Sequence, residues 1–268
     1  MSAVANKHHP TPGARPAGTS SPDEAAQNIQ QMFSTIAPTY DRANHILSAG
    51  LDRTWWNRTA RTLRPILTRP EAVILDLCCG TGDMTLALDK FRPQLTTNNQ
   101  QLTTVSPILA LDFSHTMLTL ALRKFAGRNI VSVEADALHL PLADNSFDLV
   151  TSAFGFRNLT SYPNGLAELH RVLRPGGEIA ILEFNHPGGL IGWLYSFYFH
   201  RILPTLGGII SRNPAAYSYL PHSVERFPRP TQMKALIAAA GFTNPTWTSY
   251  TLGTAGLYRA TKPSNLPS

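Results

Sequence analysis

After Pro70 the chain alternates between short apolar runs and amphipathic stretches. Val73–Leu77, Ile108–Asp112, Ile130–Val133, Phe147–Thr151 and Glu178–Glu183 are apolar almost throughout and rich in β-branched residues. Such runs belong to strands covered on both faces. Helical patterns lie between them at Ser114–Phe125 and Gly165–Leu173, and another follows at Thr231–Ala240 before two strands around Trp247 and Tyr258. Strands alternating with helices predict a parallel sheet, and right-handed crossovers make it an open, doubly wound one. The fold expected is α/β: a Rossmann-like, mostly parallel, seven-stranded sheet.

Three regions fall outside this rhythm. Ser21-Pro22-Asp23-Glu24 has the signature of a helix start, with proline in the first turn and acids at the positive end. That helix carries Ile29, Met32, Phe33 and Ile36 at helical spacing and is expected to stop before Pro38, leaving a loop through Tyr40-Asp41 to Asn44. A second helix, about Arg53 to Leu63, puts Arg53, Asn57, Arg61 and Arg64 on one face. Gln94–Pro107 is low in charge and reads as a surface loop; Gly188 to Arg229 is a long insertion full of aromatics and prolines. The organisation expected is a disordered tail over 1–22 and one domain over 23–268, with N-terminal helices at 23–69 and an inserted segment at 186–230.

Composition refines this. Of 268 residues, 43% are hydrophobic and 15% charged, so a full core is available while much of the surface is neutral. The net charge of +6 suits an anionic partner, nucleic acid or lipid headgroups. Cys78 and Cys79, the two cysteines, are adjacent; neighbours cannot form an ordinary disulfide, which fits a reducing compartment. No spacing supports a metal site, and no secretory signal or membrane-spanning run is expected.

The candidate chemistry begins at Leu75-Asp76-Leu77-Cys78-Cys79-Gly80-Thr81-Gly82-Asp83. A glycine turn between the first strand and a helix lies where doubly wound sheets bind ligands. A dinucleotide fingerprint would have a third glycine, but Thr85 stands there, and Asp83 would repel a pyrophosphate. The turn instead suits a ligand that is cationic or zwitterionic, and S-adenosylmethionine fits. Asp112 ends the second strand and is placed to accept from ribose hydroxyls. Asp136 ends the third and is placed to accept from an adenine amino group, with the Ala137 N–H beside it. The bland readings are a structural turn, a helix cap and a turn acid; three adjacent strand ends together favour a cofactor site.

Asp76 to Asp83, Asp112-Phe113-Ser114, Ala135-Asp136-Ala137, Leu140-Pro141-Leu142 and Leu173-Arg174-Pro175-Gly176-Gly177 resemble the ordered motifs of class I S-adenosylmethionine-dependent methyltransferases. The motifs Phe33-Ser34-x-x-Ala37-x-x-Tyr40-Asp41-x-x-Asn44, Phe154-Gly155-Phe156-Arg157-Asn158-Leu159, Leu182-Glu183-Phe184 and Tyr217-x-Tyr219-Leu220-x-x-Ser223-x-x-x-Phe227-Pro228 resemble the ubiquinone and menaquinone biosynthesis C-methyltransferases, from about Gln27 to Lys262. The resemblance implies cofactor contacts at Thr81, Asp112, Asp136 and Ala137. Asp76, Gly80, Gly82 and Phe113 complete the candidate set with Ala153, where the family has a serine and this chain loses one side-chain hydrogen bond. Cys78-Cys79-Gly80-Thr81 and Phe113-Ser114 resemble the menaquinone branch, implying methylation of demethylmenaquinol; a polyprenyl methoxybenzoquinol of ubiquinone biosynthesis is the alternative.

Ring carbon is a poor nucleophile unless a neighbouring phenol ionises. Arg157 is therefore the candidate to stabilise a phenolate and Asn158 to orient it, against the plainer reading of Arg157 as a loop-closing ion pair. Trp193, Tyr195, Phe197, Tyr198 and Phe199 either cover the pocket or simply pack. A polyprenyl substrate also turns the basic balance and the apolar Leu190–Ile210 stretch toward peripheral contact with an anionic membrane from the cytoplasm. A methyltransferase acting on RNA or another small molecule and a non-catalytic cofactor binder are weaker alternatives, nucleic acid is not expected as a partner, and homo-oligomerisation is left open.

Overall fold

A computed structural model describes residues 12–16, 18–93, 105–198, 201 and 214–264. Seven strands form one sheet in the order β3-β2-β1-β4-β5-β7-β6. They are β1 Ile74–Leu77, β2 Ile108–Asp112, β3 Ile130–Glu134, β4 Phe147–Ala153, β5 Leu173–Phe184, β6 Thr243–Tyr250 and β7 Ala255–Thr261. β1 to β5 run parallel, while β7 is antiparallel to both β5 and β6. This is the mostly parallel doubly wound sheet expected. The order reverses between β1 and β4, which opens a crevice at their carboxyl ends.

The helices are α1 Pro22–Leu47, α2 Leu51–Thr62, α3 Arg64–Leu67, α4 Asp83–Asp89, α5 His115–Phe125, α6 Tyr162–Val172, α7 Gly189–Phe197, α8 Pro214–Arg226 and α9 Pro230–Ala239. One face of the sheet packs Leu75, Leu77 and Ile179 against Leu166 and Leu169 of α6 and Met233 and Ile237 of α9. The other packs Ile74 and Leu149 against Trp55, Leu63 and Leu88. Every residue of β1 is buried, as its continuous apolar run required.

Two expectations need correction. α1 does not stop before Pro38: it runs on to Leu47, so Tyr40, Asp41 and Asn44 are helical, not in a loop. A proline inside a helix costs about 3 kcal/mol. Tertiary anchors on both sides hold the helix through it. Gln30 Nε2 donates to the Phe113 carbonyl at 2.5 Å, and the Ser34 and Ser114 hydroxyls meet at 3.0 Å. Ile36 and Ala37 are buried, and Asp41 is bonded to Thr81.

The tail over 1–22 is not disordered throughout, because residues 12–15 lie along the segment after Asn158. Tyr162 N–H donates to the Pro12 carbonyl at 2.9 Å and Ala14 N–H to the Leu159 carbonyl at 2.8 Å. Arg15 Nη1 donates to the Thr160 carbonyl at 2.9 Å. These backbone partners are independent of side-chain pattern, which is why composition did not announce them. Residues 94–104, most of the expected Gln94–Pro107 loop, lie outside the described set, as do Phe199 and 202–213 of the inserted segment. Within the described remainder of that segment, Gly189–Phe197 and Pro214–Arg226 are helical, as α7 and α8.

Candidate active site

The turn after β1 is shaped by close approaches. Cys78 has a φ of 53°, and a Cβ on Gly155, two residues past the end of β4, would lie 2.3 Å from the Cys78 Cβ. The two strand-end loops therefore touch at the switch point. Gly82 has a φ of +89°, and a Cβ there would lie 2.4 Å from the Phe125 ring. Gly80 N–H donates to Asp112 Oδ2 at 2.8 Å, and Ser114 N–H donates to Oδ1 at 2.9 Å. Asp112 thus fastens the glycine turn to the end of β2.

Above these loops lies a cavity of about 930 Å³. Its lining includes all of the sequence candidates except Gly82, which packs behind it on Phe125. Asp76 sits at its floor, fully buried, with Thr85 Oγ1 donating to Oδ2 at 2.6 Å and Thr151 Oγ1 to Oδ1 at 2.7 Å. Burial, only partly offset by these hydroxyls, pushes its pKa from 3.8 to about 6. Asp112 is likewise pushed from 3.8 to about 6 by burial. Asp136 is more exposed: it accepts from Leu138 N–H at 2.9 Å and lies 3.1 Å from His139 Nδ1, so it also serves as the turn acid. Phe113 lends its carbonyl to Gln30, and Ala153 lines the wall with no side-chain polar atom.

The helical course of α1 brings in residues outside the candidate set. Thr81 Oγ1 donates to Asp41 Oδ1 at 2.5 Å. Lys124 Nζ, at the end of α5, lies 2.7 Å from Asp41 Oδ2 and 2.8 Å from Asp83 Oδ1. Burial opposes the charge on Lys124, but hydrogen bonds to the two carboxylates outweigh it and hold its pKa above the ordinary lysine value. α1 is thereby clamped over the glycine turn. The Tyr-Asp-x-x-Asn motif carried a signal for Asp41. Lys124 stands in no motif, and only the packing of α1 on α5 reveals it.

The second half of the cavity is aromatic. Phe33, Tyr40, Phe154, Phe184, Tyr195 and Tyr219 line it, with Arg157 and Asn158. Arg157 is buried and paired with Glu183, which is fully buried at the end of β5: Nη1 lies 3.0 Å from Oε2. Arg157 N–H donates to the same carboxylate, Nε donates to Ser223 Oγ at 3.3 Å, and Nη1 also reaches the Phe154 carbonyl. Burial disfavours the charge on both partners, and each offsets that for the other. Nη2 has no hydrogen-bond partner among the described residues. The Tyr219 hydroxyl donates to Asn158 Oδ1 at 3.1 Å, which leaves the amide NH₂ as the donor. Arg157 is thus both the ion pair that closes the loop and a wall of the cavity.

Asp41, Asp83, Asp112, Glu134 and Asp136 line the end near the glycine turn. That acid-rich wall fits a ligand bearing ammonium, sulfonium and ribose hydroxyls and opposes a pyrophosphate. Sheet order, switch-point crevice and acid-lined glycine turn together define a class I methyltransferase. The family model described as the ubiE/COQ5 methyltransferase family matches residues 21–262. The chain belongs to that family. It is 44% identical over 235 residues to a demethylmenaquinone methyltransferase of Thermus thermophilus, covering 87% of this chain and 100% of the relative. To a ubiquinone/menaquinone biosynthesis C-methyltransferase UbiE of Geotalea daltonii it is 42% identical, covering 89% and 98%. The fold resembles a SAM-dependent methyltransferase of Thermotoga maritima, described as a possible histamine N-methyltransferase, with a TM-score of 0.59 at 17% identity over 87% of this chain and 98% of that one.

Proposed function

We propose that this chain methylates a ring carbon of a polyprenyl hydroquinone, taking demethylmenaquinol to menaquinol, with S-adenosylmethionine as methyl donor. The observation that carries this reading is the single cavity with two unlike ends: acids at three strand ends, and an aromatic chamber holding Arg157 and Asn158. When bound, S-adenosylmethionine supplies an electrophilic methyl group on a sulfonium. Asp112 is poised to receive ribose hydroxyls, since a buried carboxylate gains from every added donor. Asp136 and the Ala137 N–H stand where the adenine would be read.

In the other chamber the substrate must become a better nucleophile. Phenols ionise near ~10, and a fixed guanidinium favours the phenolate. Glu183 and Ser223 hold Arg157 so that Nη2 remains for the ring oxygen, and Asn158 offers its NH₂ beside it. The ring carbon would take the bound donor's methyl group as the carbon–sulfur bond breaks and the sulfonium and phenolate charges cancel, leaving neutral S-adenosylhomocysteine. The ring proton would pass to the ring oxygen facing Arg157 as the ring regains aromaticity. A chamber walled by Phe33, Phe154, Phe184 and Tyr195 keeps water out, which favours such charge cancellation. The reading also places the protein in the cytoplasm, working at the inner face of an anionic membrane where its substrate resides.

Quinones extracted from a strain lacking this protein should contain demethylmenaquinone in place of menaquinone. A demethylated methoxybenzoquinone would move the assignment to the ubiquinone branch, and an unchanged quinone pool would refute both. Arg157→Lys keeps a charge but loses the planar fork. Its turnover should fall at least tenfold at neutral pH, about 1.4 kcal/mol of barrier, and recover partly as alkali ionises the phenol. Turnover equal to the parent at every pH would remove Arg157 from the chemistry.

A further inference from the structure

α7 divides its aromatics between two directions. Tyr195 and Tyr198 line the cavity. Leu190, Trp193 and Phe197, spaced three and four apart, share the opposite face and are 73%, 66% and 53% exposed. Trp193 and Phe197 stack on each other, their centroids 6.4 Å apart. Helical spacing puts such residues in one stripe, and a stripe of large apolar side chains in water is unusual unless something covers it.

The stripe continues on either side. The Tyr198 hydroxyl donates to the Leu47 carbonyl at 2.6 Å, which joins the end of α7 to the α1–α2 corner where Ile46 and Leu51 are exposed. A Cβ on Gly253 would lie 3.6 Å from Pro187, which joins the start of α7 to the turn carrying Leu252, 73% exposed. Ile46, Leu51, Thr251 and Thr254 also line the cavity, so this collar surrounds part of its mouth. Residues 43–51, 189–198 and 251–254 contain no acidic residue. Arg42, one turn before Ile46, and Arg53, two residues after Leu51, are exposed beside it.

We propose that this collar docks on an anionic lipid bilayer, with Trp193, Phe197, Leu190 and Leu252 entering the headgroup region and Arg42 and Arg53 meeting the phosphates. An apolar face with tryptophan, flanked by arginine, where the carboxylate between Leu51 and Arg53, Asp52, is buried against His45, has the chemistry of an interfacial anchor. The proposal rests on the quinol reading for its purpose: a prenyl chain could pass from bilayer to chamber without crossing water. Among the described residues no helix is long and apolar enough to cross a membrane, so the contact is peripheral.

The test mixes the full chain with vesicles of phosphatidylcholine plus phosphatidylglycerol, and with phosphatidylcholine alone. The protein should float with the anionic vesicles, less so as salt rises, and its tryptophan emission should shift to the blue. The shift should vanish in Trp193→Phe, which still binds. The combined Leu190→Gln, Trp193→Gln and Phe197→Gln variant should bind about tenfold or more weakly while methylating a short-chain quinol in solution at the parent rate. Parent-like vesicle binding by that variant, or emission unchanged by vesicles, overturns the proposal. So does a dimer of the parent that the variant loses, with no vesicle binding, since the face would then belong to a second copy. Vesicle binding through Trp193 without turnover of any quinol would instead refute the function and leave the collar standing.

Discussion

Asp76 and Asp112 carry negative charge where burial opposes it. Both titrate at about 6 in the folded chain, against 3.8 ordinarily. A carboxyl whose pKa rises on folding binds its proton more tightly in the native state, so native stability falls as pH rises from about 4 through 6. Each ionised carboxylate then costs about 2–3 kcal/mol above pH 7. Asp76→Asn keeps the shape, and the Thr85 and Thr151 hydroxyls can turn to suit the amide. Thermal melting without ligand should show the variant gaining on the parent between pH 4 and pH 7.5. A melting difference that stays flat with pH would show that Asp76 is not strained by its charge. Asp112 was legible in the sequence because it ends a strand that the apolar pattern marks, and Asp76 because it interrupts the apolar run just before the glycine turn. Glu183 was legible only within a motif, and its pairing with Arg157 was not, since 26 residues and a whole helix separate them.

At the scale of elements, α1 differs most from its sequence reading. Local propensity ends it at Pro38, yet contacts with α5 and the glycine turn carry it through, and the continuation sets Tyr40 and Asp41 on the cavity wall. The clamp is the Asp41–Lys124–Asp83 group, whose members are partly exposed. Such ion pairs contribute about 0.2–1 kcal/mol each. Lys124→Met should therefore raise the dissociation constant of S-adenosylmethionine about two- to tenfold, because two carboxylates are left facing each other under α1. Calorimetric titration would read this directly, and an unchanged constant would show that the clamp does not hold the cofactor end closed.

Across the whole molecule, the segment at residues 12–15 ties the chain's beginning to the loop that bears Asn158. Three hydrogen bonds make the tie, two backbone–backbone and one from Arg15, each worth about 1 kcal/mol net. Removing residues 1–18 should lower the melting temperature by roughly 2–4 °C, the shift for a net loss of about 1 kcal/mol once the entropy of ordering the segment is allowed for. It should also speed amide exchange at Leu159–Tyr162. Unchanged exchange there would mean that the tie contributes no rigidity. The aromatics of the inserted segment are likewise a matter of the whole: cover and packing were competing readings of α7, and the fold uses Tyr195 and Tyr198 inward while leaving Trp193 and Phe197 outward.

The order of apolar runs by itself determined a doubly wound sheet, and the residues at the ends of its strands determined where a cofactor would lie. Both follow because burial on two faces demands continuous apolar strands, and because the carboxyl ends of adjacent parallel strands always meet. Only the tertiary structure decided that a helix survives its proline, that Lys124 closes on Asp41, that Arg157 is held by Glu183, and that an exposed tryptophan face rims the cavity. Each of these depends on groups far apart in the chain brought within a few ångströms, where the energy of a contact outweighs the local preference that the sequence displays.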